Sequence, residues 1–285
     1  MSIFLEEPMK AQYPTYLFIG MAFSYSLSTA HAEIIPDGSM GSSDAINPID
    51  GEYEIPETIG TTAGNNLFHS FDTFNVETDF SANFTGSPNI SNVVARVTGA
   101  SFSSIDGTLG CSITGANLYL INPNGIVFGE GASLNVSGSF YATTAEYLGF
   151  ESGEQLNTDI SQPVNLAVSD PSRFGFLTQD PANIIVNGSH LSVAEGQQLG
   201  LIGGDITIVG NNIAPTYPTG TIPADATIPA NLGALSGQIK LVSVDSSGEA
   251  IVTAGNIDTS SFDAMGTIVM ANQAMTTASG SAAGS

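Results

Sequence analysis

Beyond residue 45 the chain is a succession of short apolar runs separated by turn-forming residues. NLYLI (117–121), IVF (126–128), SLNV (133–136) and IIV (184–186) come first. They are followed by 199–202, DITIV (205–209), QIKLVSV (238–244), AIVT (250–253) and TIVM (267–270). Within several runs the apolar side chains alternate, as at Ile206 and Ile208 or Ile239 and Leu241. A period of two puts one face of a strand in a core and the other outside it. No amphipathic pattern of three helical turns interrupts the series, so an all-β fold is predicted.

Three late runs open with Gly-x-Ile, at Gly204, Gly237 and Gly266, with offsets of 33 and 29 residues. A recurrence this loose fits solenoid coils of unequal length, each stacking its apolar residues on those of its neighbour. A β-sandwich is the rival, and the candidate hairpin turns Asp106-Gly107, Asn124-Gly125 and Asn187-Gly188 do not decide between the two. Two segments read as excursions from a solenoid. Residues 211–234 hold four prolines, Pro215, Pro218, Pro223 and Pro229, none of which can donate to a strand ladder. Residues 146–162 are acidic and weakly patterned. The tail, 274–285, is low in complexity and reads as a linker or a truncated end.

The N-terminus has the pattern of an export signal. Residues 16–27 (YLFIGMAFSYSL) are mostly apolar and uncharged, Lys10 precedes them, and Ala30-His31-Ala32 follows as a small-x-small cleavage site. Spanning a bilayer takes about 20 apolar residues, so this stretch is too short for an anchor. Glu6 and Glu7 suit a positively charged n-region badly, and translation from Met9 would leave them out; both starts, Met1 and Met9, stay open. The expected division is a signal peptide over 1–32 cleaved after Ala32, a β-helical domain over 33–273, and the tail.

Composition narrows the function. Lys and Arg total 4 against 27 Asp and Glu, a net charge of −23. Nucleic acid and anionic membrane surfaces are therefore poor partners, because neutralising phosphates needs several cations. Hydrophobic residues make up 42% of the chain, enough apolar surface for a core rather than disorder. The single Cys111 leaves no intramolecular disulfide. Carboxylates are scattered, and Arg96, Arg173 and Lys240 lie far apart in sequence. There is no calcium-binding glycine repeat, Ser-His-Asp order, Cys-His pair, zinc spacing or phosphate loop. No catalytic residue, metal ligand or cofactor is assigned. Arg96, in an apolar strand pattern, is expected to be buried with an acidic partner. His69 is expected to be packed and hydrogen-bonded rather than a ligand, and His190 has still less context. Asn-x-Ser/Thr at Asn83, Asn89, Asn135 and Asn187 is read as chance.

The most distinctive blocks are NLFHSFDTFNV (66–76), VVARVTGA (93–100), SIDGTLG (104–110), GANLYLINPNGIVFG (115–129) and ASLNVSGSFYATTA (132–145). In order and spacing they resemble the filamentous haemagglutinin family, specifically the N-terminal haemagglutination-activity or secretion domain of two-partner-secretion exoproteins. The resemblance implies a right-handed parallel β-helix with an N-terminal cap. It also implies export through the periplasm and across the outer membrane by a β-barrel transporter with periplasmic domains. Sterics agree on the hand, since crossovers between parallel strands are right-handed in about 98% of cases. The aromatic block Asn66, Phe68, His69, Ser70, Phe71 and Phe74, with Phe80, is expected to form or seal the cap. Asn122-Pro123-Asn124-Gly125-Ile126 matches a signature of the secretion domain, read either as transporter recognition or as a fold the transporter requires; by itself it is a tight turn. The second Asn-Pro-Asn block of some family members is absent, Asn47-Pro48 being the only other Asn-Pro. Two functions remain: the secretion domain of an exported adhesin-like protein, or a secreted or cell-surface module that itself binds carbohydrate or host protein.

Overall fold

The computed structural model describes residues 34–212, 227–253 and 256–279. Most of its strands lie in three mainly parallel sheets that the chain visits in turn. Sheet A stacks Asn66–Phe74, Asn92–Val97, Asn117–Ile121, Phe140–Thr143, Gln198–Gly203 and Gln238–Ser243 in that order. Sheet C stacks Ser103–Ile105, Ile126–Phe128, Ile184–Asn187, Ile206–Val209 and Ile268–Ala271. Sheet B runs from Glu52–Pro56 through Ser81–Thr85, Thr108–Cys111, Ser133–Val136, His190–Val193 and Asn231–Ala234 to Met275–Thr277. The path A, C, B, A closes one coil of a parallel β-helix, and the twist of its strands gives the crossovers their right hand.

Stacking is strict where the coils are regular. Leu67, Val93, Leu118, Phe140, Leu199 and Ile239 form one inward column of sheet A. Ala95, Leu120, Ala142, Leu201 and Leu241 form the next. They meet Ile126, Phe128, Ile184, Val186, Ile206 and Ile208 of sheet C in one continuous core. The offset between stacked partners is 25 residues from Val93 to Leu118 and 22 from Leu118 to Phe140, then 59 to Leu199 and 40 to Ile239. The long offsets mark excursions. The Gly-x-Ile recurrence is not the coil repeat, because Ile206 and Ile268 are stacked in sheet C while Ile239 lies in sheet A.

The excursions build a fourth sheet, antiparallel, from Tyr147–Phe150, Gln155–Asn157, Pro171–Phe176, Gly248–Val252 and Ile257–Asp258. This sheet D lies against the outer face of sheet A. Phe68 meets Phe150 with ring centroids 5.8 Å apart, and Tyr141 meets Phe174 at 5.9 Å. The first excursion thus extends well past residue 162. A further one, between Ser243 and Ile268, contains the run 250–253, which belongs to sheet D and not to the solenoid. The proline-rich excursion is shorter than expected, since Asn231–Ala234 is already a rung of sheet B. Its middle, 213–226, lies outside the described residues. Met275–Thr277 pairs with Asn231–Ala234, so the solenoid continues past residue 273 into the stretch read as a linker.

At the other end, Ile34–Pro36 and Thr61–Ala63 both pair antiparallel with Asn66–Phe74 and cover the edge that an open first coil would expose. The aromatic block divides here. Phe71 and Phe74 turn inward and join Phe84, with centroids 5.0 and 6.1 Å apart along the chain of contacts, while Phe68 turns outward toward sheet D.

Leu120, at the middle of an inward column, is 1% exposed. Leu120→Ala is expected to lower stability by about 2–5 kcal/mol, read as a lower midpoint in urea with little change of slope.

Candidate functional site

The Asn-Pro-Asn-Gly block makes the corner between sheets A and C. The Gly125 N–H donates to the Asn122 carbonyl at 3.1 Å, closing the turn, and Gly125 sits at φ +112°, where a side chain would be strained. Asn122 is fully buried and works in two directions. Its Nδ2 donates to the Ser101 carbonyl and to Ser103 Oγ of the preceding coil, both at 3.0 Å. Its Oδ1 accepts the Asn124 N–H at 2.9 Å. The backbone of the corner is held from the next coil, since the Asn122 N–H donates to the Thr143 carbonyl at 3.0 Å and Ile126 N–H to that of Asn183 at 3.2 Å. Asn124 is exposed, with Nδ2 donating to the Gly99 carbonyl at 2.8 Å, and Pro123 is half-buried. Ile126 is in the core. The five residues therefore do one thing together: they lock three successive coils at one corner.

A second lock begins at Asn66, in the aromatic block. Asn92 Nδ2 donates to Asn66 Oδ1 and Asn117 Nδ2 to Asn92 Oδ1, each at 2.9 Å, and Asn117 Oδ1 accepts the Ser139 N–H at 2.9 Å. Asn66 Nδ2 ends the ladder on the carbonyls of Ala167 and Ser169, and Asn92 reaches Asp170 Oδ1 at 2.8 Å. The ladder ties three coils to the loop of the first excursion. Asn92 was missed in the sequence, though the signal was present: Asn66-Leu-Phe, Asn92-Val-Val and Asn117-Leu-Tyr recur at the start of successive rungs.

Ser70 belongs to a third arrangement. Arg96 is 1% exposed and donates through Nε to Ser70 Oγ at 2.7 Å and through Nη2 to Ser39 Oγ at 2.9 Å. Both hydroxyls pass on to Asp37, Ser70 to Oδ2 at 2.5 Å and Ser39 to Oδ1 at 2.7 Å, and Thr98 adds a bond to Oδ2 at 2.7 Å. Arg96 Nη1 donates to the Asn157 carbonyl of sheet D. The expected acidic partner is thus Asp37, joined to the guanidinium through two serines. Burial raises the Asp37 pKa, but the hydrogen bonds from Ser70, Thr98 and Ser39 outweigh it and hold the carboxyl below its ordinary value. Cap, first coils and sheet D meet at this one cation.

His69 points into the first coil, with Phe84 at 5.3 Å and Phe71 at 6.0 Å. It is packed as expected but not hydrogen-bonded, since neither ring nitrogen has a partner among the described residues. Burial pushes its pKa down to about 4. In sheet D, Tyr147 donates to Glu249, and Arg173 lies 3.8 Å from the same carboxylate. The Tyr147 ring crosses Gly175 so closely that a Cβ there would be 1.9 Å from it. Its hydroxyl is pushed up, first by burial and then by Glu249, which is the wrong direction for a nucleophile. His190 is exposed on sheet B, 3.4 Å from Asn231. Among the described residues no group of three or more His, Cys, Asp or Glu converges to hold a metal. Ala30 and Ala32, with the whole export-signal pattern, lie outside the described residues.

The chain is thus a capped parallel β-helix that carries an extrahelical sheet and an Asn-Pro-Asn-Gly corner. The TPS secretion domain family matches residues 32–285, and the chain belongs to that family of two-partner-secretion domains. Such domains belong to exported proteins. A solved structure with the same fold is the HMW1 secretion domain from Haemophilus influenzae, at 19% identity and a TM-score of 0.50. The match covers 81% of this chain and 50% of that one, so the chain spans half the length of that solved structure. A comparison with curated proteins gave no match.

Two outcomes follow from this geometry. Asn122→Ala leaves partners unmatched in its own turn and in the preceding coil and is expected to cost about 1–3 kcal/mol, whereas Asn124→Ala, at an exposed position, is expected to cost less than about 1 kcal/mol in the same denaturation series. For His69 the folded pKa lies below the unfolded value of 6.5, so the unfolded chain takes up the proton first. Stability should fall as pH drops from about 6.5 toward 4, by about 3 kcal/mol, and His69→Leu should flatten that part of the profile.

Proposed function

We propose that the chain is the secretion domain of an exported adhesin-like protein, recognised by an outer-membrane two-partner-secretion transporter. The observation that carries this reading is the family match over residues 32–285. Two further features support it. The N-terminal sequence has the charge, apolar stretch and small-x-small site of an export signal. The mature chain has a single cysteine, so no internal crosslink obstructs threading as an extended polypeptide.

In this mechanism the chain crosses the periplasm unfolded or partly folded, and extended segments pair with the transporter's periplasmic domains by strand addition. Folding follows outside. Each coil contacts its immediate neighbours, so emerging residues can add to coils already formed, and the free energy of stacking draws the chain outward. The Asn-Pro-Asn-Gly block acts chiefly as the corner that lets coils register. Asn122, Gly125 and Ile126 are buried once the domain has folded, which leaves only Pro123 and Asn124 for a transporter to read on the finished surface.

The test is the ratio of extracellular to periplasmic protein for residues 1–285, expressed with and without a two-partner-secretion transporter. Release is expected only with the transporter, and Asn122→Ala is expected to reduce it several-fold more than Asn124→Ile. Retention of folded protein in the periplasm with every transporter tried would overturn the reading. Intact export together with lost adhesion in these variants would instead favour a surface module that binds carbohydrate or host protein.

A further inference from the structure

The first coil is closed by a thin segment. Residues 57–63 comprise the 3-10 turn Glu57–Ile59, Gly60 and the strand Thr61–Ala63, and none of them is buried. Ile59 and Ala63 are half-buried against the two cores. Thr61–Ala63 pairs with Asn66–Phe68, the Glu57 carboxylate accepts the Ser87 N–H at 2.5 Å, and Thr61 Oγ1 donates to the Met40 carbonyl at 2.8 Å. A segment that buries so little apolar surface opens at low cost compared with coils that bury whole columns.

His69 lies directly beneath this segment. A Cβ at Gly60 would come 2.8 Å from His69 Cε1 and 2.9 Å from Nδ1. On its other side the imidazole stacks on Ala95 and is packed by Phe71 and Phe84. It is 1% exposed, and among the described residues neither nitrogen has a partner and no charge faces the ring. Glu57, on the segment itself, is engaged with Ser87, while Glu52, Glu54 and Asp72 are exposed. Arg96 and Asp37 are joined through Ser70 and Ser39 on the outer side of sheet A, and Ser81–Thr85, which supplies Phe84, holds no ionisable side chain. An imidazolium here would have neither water nor a counter-charge. Toward Ala95 lies the core, and toward Gly60 lies a segment with no buried residue, so solvent reaches the ring at least cost from the Gly60 side.

We propose that residues 57–63 are an acid-released flap: protonation of His69 lifts this segment from the first coil, while the coils from Asn92 onward keep their packing. Lifting the flap lets water reach the imidazolium and frees the Asn66–Phe68 edge that Thr61–Ala63 covers. An end that is closed at neutral pH thereby becomes a strand edge open to pairing in acid. The open state binds the proton more tightly than the closed one, so opening is favoured as pH falls below 6.5. This differs from acid unfolding of the whole domain, because the proton is taken up in a state that retains the solenoid. The inference does not depend on how the chain is exported.

Hydrogen exchange of the mature chain at about pH 7.5 and about pH 5, corrected for intrinsic rates, tests this. Amides of residues 60–63 are expected to exchange through an opening of lower free energy than that of Leu120 and Ala142, and one insensitive to low urea. Between the two pH values its equilibrium constant should rise about 30-fold, as a proton bound at 6.5 in the open state and at about 4 in the closed one requires. His69→Leu should remove that rise. Thr61→Val, which cuts the tether to Met40, should speed the exchange several-fold at both pH values and keep the rise. An opening constant that does not change with pH, or a rise that persists in His69→Leu, would overturn the proposal. So would exchange of these amides only together with Leu120 and Ala142, because the flap would not then open as a separate unit.

Discussion

Burial of sheet A on both of its faces is the constraint from which most of this structure follows. A solenoid sheet ordinarily needs apolar residues on its inner face only. Here the outward column, Phe68, Val94, Tyr119 and Tyr141, is as buried as the inward one, because sheet D covers it. Between two apolar layers no water is available to satisfy a polar group, so each one must find a protein partner. The Asn66-Asn92-Asn117 ladder, the serine-bridged Arg96 and Asp37, and the inward-pointing amide of Asn122 are the result. Each also adds side-chain hydrogen bonds between coils that the backbone ladder already joins. Among the described residues, His69 and Lys240 are buried polar groups whose nitrogens have no hydrogen-bond partner. One lies in the first coil and the other in the last described one.

What could be read in the sequence was what depends on local pattern. Period-two runs such as Asp205-Ile206-Thr207-Ile208 and Gln238-Ile239-Lys240-Leu241 identify strands because one face of each is apolar, and the class of fold followed. The corner at Asn122 was legible because turn chemistry is local. Sheet D was not. Its strand Tyr147–Phe150 is buried throughout and shows no alternation, and its pairing with Pro171–Phe176 and Gly248–Val252 joins segments far apart in the chain. The Gly-x-Ile recurrence misled for a related reason, since glycine before an apolar residue suits the start of a rung in any of the sheets. Asp37 could not be matched with Arg96 because their link runs through the hydroxyls of Ser39 and Ser70, and single sequences carry no sign of such bridges.

The same constraint bears on how the domain folds and what it does. Inner columns can grow one coil at a time, but sheet A is not fully buried until Pro171–Phe176 and Gly248–Val252, which lie much later in the chain, have paired. Early coils are therefore provisional, and the outer cover makes them final. The cap strand Ile34–Pro36 and the bonds of Arg96 to Ser70 and Ser39 need only early parts of the chain and do not wait for the excursions. Native-state hydrogen exchange tests the dependence of sheet A on its cover most directly. Amides of Leu120, Ala142 and Leu148 should all exchange through one opening with the free energy of global unfolding. Exchange at Leu148 through a separate, lower-energy opening that leaves Leu120 and Ala142 protected would contradict the account.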